Sequence, residues 1–229
     1  MKFVWIVSAC ALILAVQATA DEPALKDQKE KVSYSIGLNI GANLKAQNID
    51  INPDLLARGL KDALTGTKPL LTEEEIKEVL TTFQREMTAK TDAARTAVSE
   101  QNKIEGTAFL AENGKKEGVI TLPSGLQYKV LNAGTGPAKP KATDTVVTNY
   151  KGNLIDGTEF DSSYTRGEPA EFPVNKVIAG WTEALQLMQT GAKWQLFIPS
   201  NLAYGEKGYE GVIAPNAVLI FELELISIK

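Results

Sequence analysis

The 229-residue chain contains no histidine and only one cysteine. Without imidazole there is no Ser–His or Cys–His catalytic pair, no histidine metal site and no histidine pH switch. The lone thiol, Cys10, sits in a segment marked for removal. A mature chain would therefore carry no disulfide, zinc–thiolate site or iron–sulfur cluster. Acid–base chemistry is left to Asp, Glu, Lys and Tyr. Positive charge is not in excess: 24 Lys+Arg stand against 28 Asp+Glu, a net charge of −4. That balance argues against a nucleic-acid partner, which calls for a basic face. What is present is ordinary for a soluble globular protein, with 44% hydrophobic and 23% charged residues. The length suits one large domain or two smaller ones.

The N-terminus has the order of an export signal. Met1-Lys2 is followed by a nearly continuous apolar run over 3–16, then by Ala18-Thr19-Ala20 and the acidic Asp21-Glu22. The run is shorter than the roughly 20 residues that span a bilayer. Val7-Ser8-Ala9-Cys10 resembles a lipoprotein box but comes before the apolar run ends. The expectation is a signal peptide over 1–20 and a periplasmic protein, with outer-membrane association or secretion as alternatives. No later apolar run is long enough to suggest another such segment.

The rest divides into a helical half and a strand-rich half. Val32, Ile36, Ile40 and Leu44 recur every four residues, a stripe along one helix. Gly37 and Gly41, one turn apart beside it, point to a close helix crossing. Asn52-Pro53 caps and opens a second helix carrying Leu55, Leu56, Leu60 and Leu64, which stops at Gly66. Thr72-Glu73-Glu74-Glu75 reads as a capping box opening a third, with Ile76, Val79, Leu80, Phe83 and Met87 on its apolar face. Beyond Met87 the stripe thins, yet no breaker appears before Gly106 and helical character runs on to Gly114. One helix over 72–113 is expected, with two helices broken near Gly106 as the alternative. Residues 88–103 have too few large apolar side chains to pack on anything, as in an exposed bridge between domains. The compact part, 27–87, is too small to bury its stripes alone, which points to a homodimer. A plain monomeric helical cap is the alternative.

From Val119 the pattern becomes that of strands. Segments 126–131, 145–154, 192–198 and the C-terminal run alternate apolar and polar residues. Val146, Thr148 and Tyr150 share a face, as do Trp194, Leu196 and Ile198, and Leu219, Phe221, Leu223 and Leu225. Asp156-Gly157 marks a hairpin turn. Ile178, Trp181, Leu185 and Met188 have helix spacing. The fold class is therefore α+β. An N-terminal all-helical dimerisation region over 21–87 leads through a connecting helix over 88–114 to a sheet domain over 115–229. There a curved antiparallel sheet, a half-barrel, wraps one short α-helix.

Most chemical motifs are absent. Gly134-Thr135-Gly136 and Gly205-Glu206-Lys207-Gly208 lack a P-loop ending, and no serine sits in a Gly-x-Ser-x-Gly elbow. Glu222 and Glu224 read as a solvated sheet edge. What remains is an aromatic and acidic set comprising Tyr150, Phe160, Asp161, Arg166, Val177, Ile178, Trp181, Tyr204 and Phe221. Its members fall within Gly-Thr-Glu-Phe-Asp-Ser-Ser-Tyr, Val-Ile-Ala-Gly-Trp-Thr-Glu-Ala-Leu and Ile-Pro-Ser-Asn-Leu-Ala-Tyr-Gly.

On these motifs the chain from about 122 to 228 resembles the FKBP-type peptidyl-prolyl cis–trans isomerases. The helical region resembles the N-terminal part of their secreted bacterial group, the macrophage infectivity potentiators, which implies a dimer with a long connecting helix. The resemblance implies a pocket with Trp181 as floor, Tyr150, Phe160 and Phe221 as walls, and Val177 and Ile178 at the rim. It implies that Asp161 is a buried acid interacting with Tyr150 and Arg166, and that the Ile178 N–H and the Tyr204 hydroxyl hold ligand carbonyls. Tyr209, Val212 and Ile213 complete the substrate-binding set. Ala170 stands where small cytosolic members have a phenylalanine wall, which implies a more open pocket, and Tyr209 where some have histidine. Proline-containing unfolded polypeptides are the implied partners, macrolides the implied inhibitors, and no cofactor is implied. A non-enzymatic holdase binding clients in a dimer cleft is the alternative function.

Overall fold

The computed structural model describes residues 25–209 and 211–229. The expected signal segment and Cys10 lie outside the described residues. Two compact units divide at Glu73.

The first unit is helical. Helix α1 spans Gln28–Ala46, opened by Asp27, whose side chain accepts the Glu30 N–H. Helix α2 spans Pro53–Thr65. Asn52 caps it through the Asp54 and Leu55 N–H groups, and Gly66 ends it in the left-handed region at φ 69°. Neither helix has a buried residue. Ile36, Leu55, Leu60 and Leu64 of the expected stripes are all exposed. A Cβ built at Gly37 or Gly41 meets nothing within 4 Å, so the crossing they suggest is not made within the described residues.

The second unit opens with α3, one unbroken helix over Glu73–Asn113. Gly106 does not break it, because its missing Cβ makes room for Val218, whose Cγ2 lies 2.7 Å from the Cβ position. The sheet follows: β1 Val119–Thr121, β2 Gln127–Asn132, β3 Thr145–Asn153, β4 Glu159–Ser162, β5 Ala170–Pro173, β6 Lys193–Ile198 and β7 Leu219–Ile228. All pairings are antiparallel, in the order β1-β2-β6-β7-β3-β4, with β5 also on β3. The sheet stays open, a half-barrel rather than a closed one. A turn of helix, α4 over Ser163–Arg166, separates β4 from β5, and α5 spans Ala179–Leu187.

Trp181, Ala184 and Leu185 of α5 are buried in one core with Val146 and Tyr150 of β3, Leu196 and Ile198 of β6, and Leu219, Phe221, Leu223 and Leu225 of β7. Period-2 alternation faces these side chains inward and leaves the intervening ones toward solvent. Glu222 and Glu224 are on that outer face, but not at an edge. Their strand runs mid-sheet between β6 and β3, and Glu222 pairs with Lys193 at 3.0 Å.

Two departures from the sequence reading share one cause. Phe197 should face water, yet it is buried, because Phe109 of α3 packs on it with ring centroids 6.0 Å apart. The 88–103 stretch, expected to pack on nothing, docks from Arg95 onward through polar groups. Arg95, Ser99 and Asn102 all hydrogen-bond to the segment before β7. Nearer the helix end, buried Asn113 donates to the side chain of Gln127, which donates in turn to the Leu110 carbonyl.

Candidate active site

A cavity of about 560 Å³ opens between α5, the inner face of the sheet and the 203–213 segment. Trp181, only 4% exposed, forms its floor from the first turn of α5. Thr182 ties that turn down by donating its hydroxyl to the Val174 carbonyl at 2.7 Å. Three rings meet the indole edge-on: Tyr150 at 5.1 Å, Phe221 at 5.1 Å and Phe172 at 5.8 Å. Phe160 stands on Phe221 at 5.4 Å and 89°. Edge-to-face pairs are the favoured aromatic geometry, so the rings brace one another. The indole N–H of Trp181 is buried and has no partner among the described residues.

Backbone register places the walls. Gly152 of β3 lies opposite Phe221 of β7 on one side and Asp161 of β4 on the other. A Cβ at Gly152 would stand 2.7 Å from both Phe160 and Phe221. Glycine is therefore required for the two rings to close over the strand. Two residues earlier, the Tyr150 N–H donates to the buried Ser163 hydroxyl at 2.9 Å, which ties β3 to α4.

Polar groups gather at one side. The Tyr150 hydroxyl donates to Asp161 at 2.6 Å. Arg166 donates to the other Asp161 oxygen and, at 2.6 Å, to the Tyr150 oxygen. Burial and the bond to Asp161 raise the Tyr150 pKa, and bonds to Tyr150 and Asp161 hold Arg166 more firmly protonated. The Asp161 and Arg166 side chains are 44% and 45% exposed, so their pairing contributes little to stability. Its consequence is orientation: the Tyr150 ring and hydroxyl are fixed by Asp161 at the cavity mouth and by Arg166 behind it. Asp161 is thus a half-exposed acid at the mouth, not the buried acid that the resemblance implies.

At the opposite side Tyr204 packs on Tyr209 with ring centroids 4.9 Å apart. Burial, followed by neighbouring Tyr209 and Asp161, raises the Tyr204 pKa. Ile178 precedes α5 as its cap, and its carbonyl accepts the Trp181 and Thr182 N–H groups.

All the sequence candidates line this cavity except Arg166, which supports it from behind. Phe172, Lys176 and Ala203 also line it and were not among those candidates. Ala170 does not line it. Phe172, two residues on and on the same strand face, supplies the aromatic wall, so the Ala170 position does not leave that side open. The signal was there in the alternation of Ala170 and Phe172, and β5 was too short to register as a strand.

The family model described as the domain amino terminal to FKBP-type peptidyl-prolyl isomerase matches residues 29–130. The model described as FKBP-type peptidyl-prolyl cis-trans isomerase matches residues 136–226. Outer membrane protein MIP of Legionella longbeachae is 50% identical over 98% of this chain and 97% of its own. The chain belongs to the FKBP-type peptidyl-prolyl cis–trans isomerases. Peptidyl-prolyl cis-trans isomerase Mip of Coxiella burnetii is 45% identical over 95% of this chain and 94% of its own. Among solved structures, FkpA from Escherichia coli superposes with a TM-score of 0.71 at 40% identity, covering 90% of this chain and 99% of that one. The isomerase thus combines the family's helical N-terminal region with its open antiparallel sheet domain, and its activity is peptidyl-prolyl isomerisation.

Proposed function

We propose that the aromatic cavity is the isomerase site and that it works by apolar burial of the Xaa-Pro amide. The observation that carries this reading is a floor and walls of Trp181, Tyr150, Phe160, Phe172 and Phe221 around one cavity. Prolyl isomerisation must overcome a barrier of about 18–20 kcal/mol set by amide resonance. No bond to a nucleophile need form and no net proton need move. The twisted amide has lost resonance and carries a less polar carbonyl than the planar one. An apolar cavity therefore disfavours the planar ground state more than the twisted transition state. Each 1.36 kcal/mol of that difference is about tenfold in rate.

In this reading the proline ring sits over Trp181, and the Ile178 N–H and Tyr204 hydroxyl hold carbonyls of the bound chain. Val177, Tyr209, Val212 and Ile213 border the bound polypeptide. Asp161 and Arg166 orient Tyr150 and do not act as acid or base. Supporting the donor role, neither the Ile178 N–H nor the Tyr204 hydroxyl has a hydrogen-bond partner among the described residues.

The substrates are proline-containing, incompletely folded polypeptides. The export pattern at the N-terminus and the outer-membrane name of the Legionella longbeachae relative support action outside the cytoplasm. The exposed stripes of α1 and α2, with open space at Gly37 and Gly41, support a homodimer built through 21–87. The domain division at 88–114 and 115–229 goes with that reading.

The test is a protease-free isomerisation assay on a short proline peptide. Trp181→Ala and Phe221→Ala in the full chain should each lower kcat/KM at least about tenfold. Full activity in both variants would overturn the apolar-cavity mechanism.

A further inference from the structure

The segment from Tyr204 to Ala217 carries one whole border of the cavity, yet it is poor in regular structure. Its own ties are few. The Asn216 N–H closes its base on the Gly205 carbonyl at 2.8 Å, and Tyr209 and Ile213 form an isolated bridge near its tip. Gly208 adopts φ 65° and passes so close to the Ile213 carbonyl that no side chain fits there. Among the described residues, no backbone N–H of the loop donates to the Lys207 or Pro215 carbonyl.

Those carbonyls are met from α3. Arg95 donates to the Lys207 carbonyl at 2.7 Å, and Asn102 donates to the Pro215 carbonyl at 2.8 Å. Between them, Ser99 accepts the Asn216 side-chain N–H at 2.8 Å. Asn216 is in the left-handed region at φ 57°, an uncommon conformation for any residue but glycine, and its bond to Ser99 holds it there. Arg95, Ser99, Asn102, Gly106 and Phe109 advance by four and three residues in turn, which puts them on one helix face. The lower part of that face is fastened to β6 and to the residue before β7 through Phe109 on Phe197 and Gly106 on Val218. The upper part bonds to the loop through its three polar side chains.

We propose that Arg95, Ser99 and Asn102 are positioning residues for the isomerase site. They clamp the back of the 205–217 loop and so set where Tyr204, Tyr209 and Ile213 meet the substrate. None of the three touches the cavity. The proposal rests on the reading of that cavity as the isomerase site. The long helix is then part of the catalytic unit and not only a spacer.

The experiment uses the full-length chain. The double variant Ser99→Ala/Asn102→Ala should lower kcat/KM on a short proline peptide about fivefold, the scale of one lost hydrogen bond. Amide hydrogen exchange should quicken within 205–217 while the midpoint of urea unfolding stays put. Ser99→Thr, which keeps the hydroxyl, should behave as wild type. Asn102→Asp, which matches the shape but sets an acceptor against the Pro215 carbonyl, should repeat the loss. Gln101→Ala, whose side chain bonds only to Glu105 on the helix surface, is the unchanged control. Unaltered kcat/KM and exchange in the double variant would overturn the proposal. So would an activity loss that tracks global destabilisation with no local change in exchange. Trp181→Ala in the same assay separates the two readings. If it leaves the rate intact, the site assignment fails; if it abolishes the rate while the clamp variants do nothing, only the clamp fails.

Discussion

At the scale of single residues, the cavity depends on one side chain that is absent as much as on those present. Gly152 lets Phe160 and Phe221 close together above β3. Gly152→Ala should push both rings outward and lower kcat/KM about tenfold, at a stability cost of about 1–3 kcal/mol typical of overpacking. A peptide assay with urea unfolding checks both figures. Asp161→Asn keeps the shape of the side chain and removes its charge. The Tyr150 hydroxyl and Arg166 then lose their common partner, and the rate should be lowered but measurable. The pH dependence follows from Tyr204. Burial disfavours its phenolate, so its pKa lies above the ordinary 10.0 and the hydroxyl remains a donor at all lower pH. Turnover should show no titration from Tyr204 between about pH 6 and 9. A rate loss within that range that vanishes in Tyr204→Phe would contradict this.

At the scale of elements, the informative contact is α3 on the sheet. Gly106 looks in sequence like a weak point in a long helix. In the structure it is a closest-approach point against Val218, a buried residue next to β7. Gly106→Val should force helix and strand apart and destabilise the protein by about 1–3 kcal/mol, read as a lower urea midpoint with an unchanged slope. The same contacts explain how residues 88–103 pack without an apolar stripe. Apolar periodicity reports burial against apolar surface, whereas Arg95 and Asn102 dock on loop carbonyls, Ser99 docks on the Asn216 side-chain amide, and none of them carries an apolar signal. Helix α5 was legible for the opposite reason: Trp181, Leu185 and Met188 bury one continuous apolar stripe, with half-buried Ile178 at its start.

At the scale of the whole molecule, two regions follow different rules. The sheet domain encloses its own core of fully buried side chains around α5. Helices α1 and α2 bury nothing within the described residues of this chain. Ile36, 54% exposed, and Leu60, 48% exposed, are the positions that test the proposed homodimer. Ile36→Glu with Leu60→Glu should convert a dimer to a monomer by light scattering. Turnover of a short peptide should survive, since neither residue lines the cavity. Refolding of a whole protein client should fall sharply, because two linked pockets hold one chain at two points and one pocket does not. A monomeric wild-type chain would defeat this expectation.

Local chemistry made much of this protein legible without coordinates. The caps at Asn52 and Gly66, the turn at Asp156-Gly157 and the alternation through Leu219, Phe221, Leu223 and Leu225 all act within a few residues of themselves, and each element formed where its signals lie. The motifs around Trp181, Asp161 and Tyr204 marked most of the cavity for a similar reason: their residue types are unusual together. Tertiary structure alone decided what depends on partners far along the chain. Phe172 became a wall because β5 pairs with β3, Gly152 became indispensable because two rings from other strands converge on it, and Arg166 was set behind the cavity by α4. Ser99 and Asn102 acquired their place from polar groups of a loop more than a hundred residues away, the Asn216 side-chain amide and the Pro215 carbonyl, and no periodicity in a sequence records an interaction of that span.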